Sequence, residues 1–220
     1  MKRKKLVAIF AHPDDEAFGP GGTLALYSKT HDVYIICVTR GQSGKNDHNS
    51  DTKNIAKLRE KELHGSAKLL GVKDVFCLDY MDGSLSNNIY HDMARDIRDI
   101  LEGIKPEILM TFEEKGVSGH IDHIAVTMVV NYIFDRVKFV KTLMYYCILE
   151  EESRGLQPYF IYVPPGYERS KIDKIVDITS VNNLKIKALK KHRSQVSDVS
   201  RILKQREKLP KEEHFLIKTK

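Results

Sequence analysis

Continuous apolar runs alternate with amphipathic stretches along most of the chain. The first two runs, residues 6–10 (LVAIF) and 32–39 (DVYIICVT), are rich in β-branched and aromatic residues, which is typical of strands buried on both faces. A helix beginning at Thr23 lies between them, so the pattern predicts a parallel strand–helix–strand unit. Further strands are predicted at 75–78, 107–112, 142–149, 160–163 and 215–217, and helices at 54–70, 89–102, 124–134 and 181–195. We therefore expect one α/β domain with a right-handed, mostly parallel sheet.

Composition adds a constraint on partners. The 220 residues are 41% hydrophobic and 30% charged, which is typical of a globular domain. The formal charge of +6 lies at the two ends, because residues 1–5 carry +4 and residues 185–220 carry +8. The basic ends lack interleaved aromatic residues and any nucleic-acid motif. We therefore predict a solvated basic C-terminal helix and tail over about 196–220, and no nucleic-acid partner.

Cysteine usage and the N-terminus bear on the compartment. Cys37, Cys77 and Cys147 sit in separate apolar runs without metal-site spacing, which indicates buried thiols in a reducing compartment. The basic run at residues 2–5 precedes an apolar run that stops at His12, too short for a signal peptide. No stretch is long enough to be an integral membrane segment. The sequence predicts a cytoplasmic protein.

A polar motif follows the first predicted strand. In the sequence AHPDDE (11–16), His12, Asp14 and Asp15 arrive at the carboxyl end of the strand, where open α/β sheets place ligands. An imidazole and two adjacent carboxylates suit a divalent cation, with Zn²⁺ the first expectation and Fe²⁺ the second. If one carboxylate binds the metal, its neighbour is free to act as a base. The alternative is a helix start in which Asp14 or Asp15 is the N-cap.

A second motif follows the fourth predicted strand, with the sequence GHIDH (119–123). His120 and His123 are three residues apart and share a face at a helix start. Asp122 points elsewhere and is better placed to orient an imidazole from outside the ligand shell. The two motifs together predict a metal site with three ligands, His12, Asp15 and His123, and an open position for water. Asp14 is then the candidate base, and His120 the candidate acid and oxyanion stabiliser.

Other candidates are less specific. Arg59 and Glu62 lie on the apolar face of the 54–70 helix, where they either pair with each other or Arg59 points into the site. Asp79 ends the third strand and is a candidate substrate contact, whereas Asp82-Gly83 has the composition of an ordinary turn. The long polar loop at 40–53 is a candidate lid or substrate loop. The glycines at 19–22 permit close approach of a substrate; a phosphate cradle is the weaker alternative because the P-loop lysine is missing.

These motifs resemble the PIG-L/LmbE-like family of N-acetylglucosaminide deacetylases. The resemblance rests on AHPDDE with its following GG (11–22) and on GHIDH (119–123). Weaker matches are TRGQSG (39–44), the helix ending LLGV (69–72), Asp79 with Asp82-Gly83, and KHRSQ (191–195). It implies a Rossmann-like α/β fold, a mostly parallel sheet with helices on both faces, in one domain over residues 1–220. It also implies zinc-dependent removal of acetyl from a small amino-sugar substrate by metal-activated water.

Carried over by motif position, the resemblance implies zinc ligation by His12, Asp15 and His123, with Asp14 as base, His120 as transition-state stabiliser and Arg59 as substrate contact. Gln42 stands where the family often has an acidic residue, so a role for a loop carboxylate does not carry over. Two alternatives stay open: an amidase of a larger thiol–sugar conjugate, and a non-catalytic module that binds a sugar or nucleotide. The sequence leaves the aglycone and a homo-oligomer undetermined.

Overall fold

The fold is an α/β sandwich around one mixed sheet, seen in a computed structural model that describes residues 3–44, 54–156 and 161–220. The strands within these ranges are β1 (Lys5–Phe10), β2 (Asp32–Thr39), β3 (Asp74–Tyr80), β4 (Ile108–Phe112), β5 (Thr142–Cys147), β6 (Lys174–Asp177) and β7 (Glu212–Thr219). Their order is β3-β2-β1-β4-β5-β7-β6. Strands β1 to β5 are parallel, and β7 runs antiparallel to both of its neighbours. The predicted mostly parallel α/β sheet is confirmed.

Helices cover both faces of this sheet. They are α1 (Asp15–Phe18), α2 (Gly21–Ser28), α3 (Ile55–Leu70), α4 (Tyr90–Ile104), α5 (Gly116–Gly119), α6 (Ile121–Arg136), α7 (Glu150–Arg154), α8 (Asn182–Leu189) and α9 (Val196–Arg206). Helices α4 and α6 pack on one face, where their apolar residues join Val7 and Ile9 of β1. Helices α2, α3 and α8 pack on the other face with Leu6 and Ala8. Because alternate side chains of β1 enter opposite cores, the strand is apolar throughout.

The C-terminal region differs most from the sequence prediction. The expected short edge strand at 215–217 is the eight-residue β7, which lies inside the sheet between β5 and β6. Residues 196–220 are therefore α9 followed by an integral strand rather than a solvated tail. Phe215 at the centre of β7 is fully buried. The apolar run at 215–217 predicted only the centre of the strand, because the flanking residues of β7 are mostly charged. They lie in the sheet because they pair with β5 and β6.

Three other element predictions need correction. Strand β6 is a further strand that the pattern did not predict, because it is short and largely exposed and its place in the sheet comes from pairing with β7. Of the strand expected at 160–163, residue 160 lies outside the described residues, and residues 161–163 form no strand. The helix expected at 181–195 ends at Leu189, and a separate 3₁₀ turn follows at Arg193–Gln195. In the described ranges, no helix is long and apolar enough to cross a membrane.

The topology brings the two motifs together. Strands β1 and β4 are neighbours, and the strand order changes direction between them. The chain after β1 carries residues 11–16, and the chain after β4 carries residues 116–123. Ligands of open α/β sheets bind at such a switch point, outside the carboxyl ends of the strands.

Candidate active site

A cavity of about 720 Å³ opens at the carboxyl ends of β1, β4 and β5. His12, Asp14, Asp15, His120 and His123 line its polar end. Aromatic and aliphatic side chains form much of the wall, among them Phe18, Phe112, Tyr146, Ile148, Leu156 and Ile202, and charged residues of α7 and α9 such as Glu152 and Arg201 line its far end. A few convergent polar groups at one end of a largely apolar cavity are typical of a small-molecule site.

The three predicted ligands lie close together at the polar end of the cavity. His12 Nδ1 lies 3.2 Å from His123 Nε2. The Asp15 carboxylate completes the triangle, with Oδ1 3.3 Å from His123 Nε2 and Oδ2 3.6 Å from His12 Nδ1. Asp15 is fixed locally, because its Oδ2 also accepts the backbone N–H of His12. One carboxylate and two imidazoles thus converge on a single point.

The outer nitrogens of the two imidazoles determine their tautomers. His123 Nδ1 lies 3.0 Å from the carbonyl oxygen of Gly116, which can only accept, so Nδ1 carries the proton and Nε2 has the lone pair. His12 Nε2 faces Asp82 at 3.0 Å and Asp122 at 3.2 Å, so it donates and the lone pair lies on Nδ1. When both rings are neutral, the two lone pairs therefore point at each other across 3.2 Å. This arrangement requires a cation between the rings, either a proton or a metal ion.

The donor set fits a metal. Ligand atoms about 2.0–2.2 Å from a tetrahedral Zn²⁺ lie roughly 3.3–3.6 Å from one another. The separations here are close to this, at 3.2, 3.3 and 3.6 Å, the last two measured to different oxygens of Asp15. Donor atoms of His12, Asp82 and Asp122 also lie within 4.8 Å of one another. The carboxylates of that second set are already committed, because Asp82 accepts the N–H of Ser43, and Asp122 accepts two further backbone N–H groups. We therefore assign the second set to orienting His12.

The charge distribution favours a cation at the same point. Burial acts to lower the pKa of His12, but hydrogen bonds to Asp122 and Asp82 outweigh it and raise this pKa to about 10. Burial acts to raise the pKa of Asp15, but His123 and His12 hold it well below its usual value. The pKa of Asp122 is also lowered, since its hydrogen bonds to His12 and Gly83 outweigh burial. The carboxylates around His12 are thus ionised and leave the cluster negative.

Asp14 lies beside the triangle and is not part of it. It precedes α1, but its carboxylate makes no capping hydrogen bond, so the N-cap alternative is not observed for this side chain. Its φ is 112°, a conformation that non-glycine residues rarely adopt and that is typical of functional sites. Burial raises the pKa of Asp14 to about 6, against the opposing effect of Arg59. A carboxyl with such a pKa is suited to exchange a proton near neutral pH.

Arg59 points into the site rather than pairing with Glu62. Its Nη2 donates to Asp14 Oδ2 at 3.0 Å and to the carbonyl of Pro13 at 2.8 Å, and Nη1 donates to the carbonyl of Gly41 at 2.7 Å. Glu62 instead accepts from the N–H and hydroxyl of Ser194. Gly41 has φ +66°, and a Cβ there would lie 2.3 Å from Arg59 Nη1. The glycine is required for this close approach.

His120 forms the third ring of the site. Its centroid lies 4.7 Å from that of His12 and 4.9 Å from that of His123. As the N-cap of α6 it accepts the N–H of Asp122 on Nδ1, which leaves the proton on Nε2. Burial and the neighbouring histidines lower the pKa of His120, so the neutral ring is favoured. Donor atoms of His12, His120 and His123 also lie within 4.8 Å of one another.

Two predictions about neighbouring acids need correction. Asp79 does not reach the site: its side chain is 81% exposed on the edge strand β3 and pairs with Arg40 Nε at 3.1 Å. Asp82, expected to be only a turn residue, is 8% exposed and contacts His12. Alternation along β3 sends Asp79 outwards, whereas Asp82 lies beyond the strand end, in the turn that reaches the site. The signal available in the sequence was the position of Asp82 after a strand carboxyl end.

The glycine-rich segment has a structural partner of its own. Glu213 of β7 accepts the N–H groups of Gly22 and Thr23 at 2.8 and 2.7 Å, at the start of α2. Because an internal carboxylate takes these donors, they do not cradle a phosphate. The candidate lid at 40–53 falls mainly on residues 45–53, outside the described residues. In the part that is described, the Ser43 N–H donates to Asp82, and the Ser43 hydroxyl donates to the carbonyl of Asp82.

Comparison with known proteins gives consistent matches. The family model PIG-L, described as GlcNAc-PI de-N-acetylase, matches residues 7–134. The chain is 30% identical over 200 residues to a probable N-acetyl-alpha-D-glucosaminyl L-malate deacetylase 2 of Bacillus cereus, covering 89% of this chain and 84% of that protein. It is also 30% identical over 202 residues to diacetylchitobiose deacetylase of Thermococcus kodakarensis, covering 87% and 70% respectively.

Solved structures share the fold. The N,N'-diacetylchitobiose deacetylase of Pyrococcus horikoshii matches with a TM-score of 0.75 at 24% identity, covering 98% of this chain and 84% of that one. GalB, a 4-carboxy-2-hydroxymuconate hydratase of Pseudomonas putida, matches with a TM-score of 0.74 at 15% identity, covering 97% and 95%. The same fold therefore occurs with different chemistries, and the side chains of the site have to decide between them.

Proposed function

The chain belongs to the PIG-L family of GlcNAc-PI de-N-acetylases, and on that premise we propose a metal-dependent N-deacetylase that acts on a small molecule containing N-acetylglucosamine. The observation that carries this proposal is the approach of His12 Nδ1 to His123 Nε2 at 3.2 Å beside Asp15. A binding module has no need of a metal triangle flanked by a further carboxyl and a third imidazole. We therefore favour a hydrolase over a non-catalytic module that binds a sugar or nucleotide.

We assign the cation to His12 Nδ1, Asp15 and His123 Nε2. A divalent ion there, Zn²⁺ or alternatively Fe²⁺, supplies Lewis acidity that polarises the amide carbonyl and makes water easier to deprotonate. Asp82 and Asp122 hold the His12 ring through Nε2, and Gly116 holds His123 through Nδ1. These contacts keep both lone pairs directed at one point, which is the usual task of the groups behind metal ligands.

Asp14 is the proposed general base. Its carboxylate accepts a proton from the water that attacks the acetyl carbonyl, and Arg59 holds it in place at 3.0 Å. A new C–O bond forms at the carbonyl carbon, the C–N bond breaks, and the proton passes to the leaving nitrogen. The products are acetate and the free amine of the sugar. The raised pKa of Asp14 supports both the uptake and the return of the proton.

His120 is the proposed oxyanion stabiliser, since the return of the proton is assigned to Asp14. The proton on its Nε2 is available because Nδ1 is occupied by the N–H of Asp122. A neutral imidazole N–H can donate to the carbonyl oxygen as negative charge develops there. Arg59 lines the cavity, so it is also the proposed substrate contact, although two of its nitrogens are already committed to protein oxygens.

The cavity bears on the wider substrate. Its apolar wall extends from the site towards α7 and α9, which leaves room beyond an acetamide for an aglycone. The same room suits the second candidate, an amidase of a larger thiol–sugar conjugate. We propose that residues 1–220 form a single domain of this kind. The free state of all three cysteines supports a cytoplasmic location, because reducing compartments keep thiols unpaired.

The test is acetate release from N-acetylglucosamine and a panel of its glycosides, measured on protein of known metal content with and without a chelator. We expect chelator-sensitive release from at least one compound. Asp14→Asn should lower kcat by about 10²–10⁴-fold while the metal content stays near that of the wild type. Asp79→Asn removes an exposed carboxylate outside the site and serves as the matched control. Protein without bound metal, or Asp14→Asn with full activity, would refute the proposal.

A further inference from the structure

Glu16, the last residue of the first motif, is buried beneath the site and takes no part in the metal triangle. Its side chain is 1% exposed. Oε2 accepts the backbone N–H of Asp14 at 3.1 Å. Oε1 accepts from the hydroxyl of Ser66 at 2.5 Å and faces His192 Nε2 at 2.8 Å. A carboxylate with all of these partners links α1, α3 and the segment after α8.

The contact with Asp14 falls on a strained backbone. A non-glycine residue keeps φ at 112° only where its surroundings hold it there. The N–H of Asp14 belongs to the peptide unit that also contains the carbonyl of Pro13. Arg59 Nη2 donates to that carbonyl at 2.8 Å, while Glu16 accepts the N–H on the opposite edge. One peptide plane is thus clamped from both sides by an arginine and a glutamate.

We propose that Glu16 is a positioning residue that acts through Asp14. By clamping the Pro13–Asp14 peptide opposite Arg59, it holds the Asp14 backbone in the conformation that presents the carboxylate to the reaction. This inference rests on the proposed function, in which Asp14 is the base. Glu16 itself is neither a cavity-lining residue nor a member of the metal triangle.

His192 and Ser66 make the clamp rigid. His192 is 1% exposed and Ser66 is fully buried, so the bonds that they give Glu16 are shielded from water. Burial acts to lower the pKa of His192, but the Glu16 carboxylate outweighs it and raises this pKa. The partners of Glu16 therefore come from helix α3 and from residue 192, far apart in sequence. The KHRSQ segment at 191–195 acquires a role in this way, although it lies outside the ligand set.

The same segment provides a matched control. Glu62 is a buried carboxylate on α3 that accepts from Ser194, two residues after His192. It anchors the same turn to the same helix but makes no bond to Asp14. Replacing Glu62 therefore disturbs the segment without releasing the peptide clamp.

The experiment compares Glu16→Ala, Glu16→Gln and Glu62→Ala for kcat, KM, metal content and Tm. We expect Glu16→Ala to lower kcat by about 100-fold with KM and metal content within twofold, since small displacements of a catalytic group are that costly. Glu16→Gln should restore most of kcat, because its amide oxygen can accept the N–H of Asp14 while its NH2 group donates to Ser66 and to the Nε2 of a neutral His192 that carries its proton on Nδ1. The kcat of Glu62→Ala should stay within threefold of the wild-type value. An equal loss of kcat in Glu62→Ala would overturn the inference.

A double-mutant cycle with Asp14→Ala separates this inference from the proposed function. If Glu16 acts through Asp14, adding Glu16→Ala to Asp14→Ala should change the residual rate by less than twofold. If the double variant instead loses rate by the product of the two single effects, the positioning role is overturned and the proposed deacetylase activity is unaffected. Full activity of Asp14→Ala would instead refute the proposed base.

If Glu16→Ala does not fold, Glu16→Asp takes its place. Aspartate keeps the charge but withdraws the carboxylate by one methylene from Asp14. We then expect Glu16→Asp to be slower than the uncharged Glu16→Gln. The reverse order would show that charge, not the clamp, is what matters, and would overturn the inference.

Discussion

The ion pair between Lys185 and Glu213 allows a sharp test of how the C-terminal strand supports the site. Both side chains are fully buried, and Lys185 Nζ lies 2.6 Å from Glu213 Oε1. Lys185 also donates to the carbonyl of Gly19, and Glu213 accepts the N–H groups of Gly22 and Thr23. The pair therefore joins α8 and β7 to the segment between α1 and α2. We consider the variants Glu213→Ala, Lys185→Met, and the double variant Lys185→Met with Glu213→Gln.

The magnitude follows from the partners that each variant leaves behind. Glu213→Ala removes the counter-charge of Lys185, whose pKa burial already lowers to about 8, and it leaves two N–H groups without an acceptor. Breaking a buried pair in this way costs about 3–5 kcal/mol. Lys185→Met leaves the carboxylate with both N–H bonds at the start of α2, where negative charge is favourable. We therefore expect Glu213→Ala to be the more destabilising single change by about 2 kcal/mol. The double variant removes both charges and keeps an acceptor, so it should cost less than either single change.

The assay is equilibrium unfolding in urea, followed by circular dichroism because the chain has no tryptophan. With an m-value of about 2–3 kcal/mol/M, a loss of about 4 kcal/mol moves the midpoint by roughly 1.3–2 M. Comparable slopes in all variants would establish that the midpoints report stability. Additive losses in the double variant, or a larger loss in Lys185→Met than in Glu213→Ala, would refute the reasoning.

The pH dependence provides a second measurement on the same variants. Burial acts to raise the pKa of Glu213, but Lys185 outweighs it and holds this pKa below its usual value. The unfolded state therefore binds more protons than the folded state as the pH falls below the ordinary glutamate pKa of about 4.5. The stabilisation by Glu213 is complete above that pH and is lost as the pH falls through the depressed pKa. Below about pH 4.5, the free energy of unfolding should fall less steeply with decreasing pH in Glu213→Ala than in the wild type. Equal slopes would contradict this assignment.

Three further predictions concern the site. Asp122→Asn removes a charged acceptor from His12 Nε2 and should weaken metal binding by about 10–100-fold in a competition titration with a chromophoric chelator; unchanged affinity would contradict the assigned orientation of His12. Arg59→Lys cannot reach the three acceptors that the guanidinium spans, so kcat should fall on the order of 10–100-fold with metal content retained, whereas a loss of metal instead would place Arg59 elsewhere in the mechanism. Gly41→Ala places a methyl group 2.3 Å from Arg59 Nη1 at a φ of +66°. It should lower both Tm and kcat, and wild-type values of both would show that the loop accommodates the methyl group without strain.

Local patterns predicted much of the fold. Strand β2 has the predicted bounds, and α3 starts one residue later than expected. The parallel order follows from apolar strands alternating with amphipathic helices, because a strand buried on both faces has to be apolar throughout. The positions of the two polar motifs also follow, since each comes directly after a strand and parallel strands end at one edge of the sheet.

Contacts between distant segments could not be predicted in this way. Glu213 meets Gly22 across 191 residues, and Glu16 meets His192 across 176 residues. Periodicity indicates that a residue is buried, but not which segment covers it. For the same reason the sequence predicts only a short edge strand at 215–217 within a basic tail, because the place of β7 in the sheet comes from pairing with β5 and β6 rather than from its own hydrophobicity.

The sequence by itself determined the fold class, the family and the pair of motifs that carry the site. Each of these depends on residue types at short spacing, which local burial and strand direction are sufficient to constrain. Only the tertiary structure decided that Asp82 contacts His12 while Asp79 faces away, that Arg59 bonds Asp14 rather than Glu62, and which tautomer each imidazole takes. Those outcomes depend on the direction of side chains and on partners from remote elements, which are defined only when the sheet and its helices have packed.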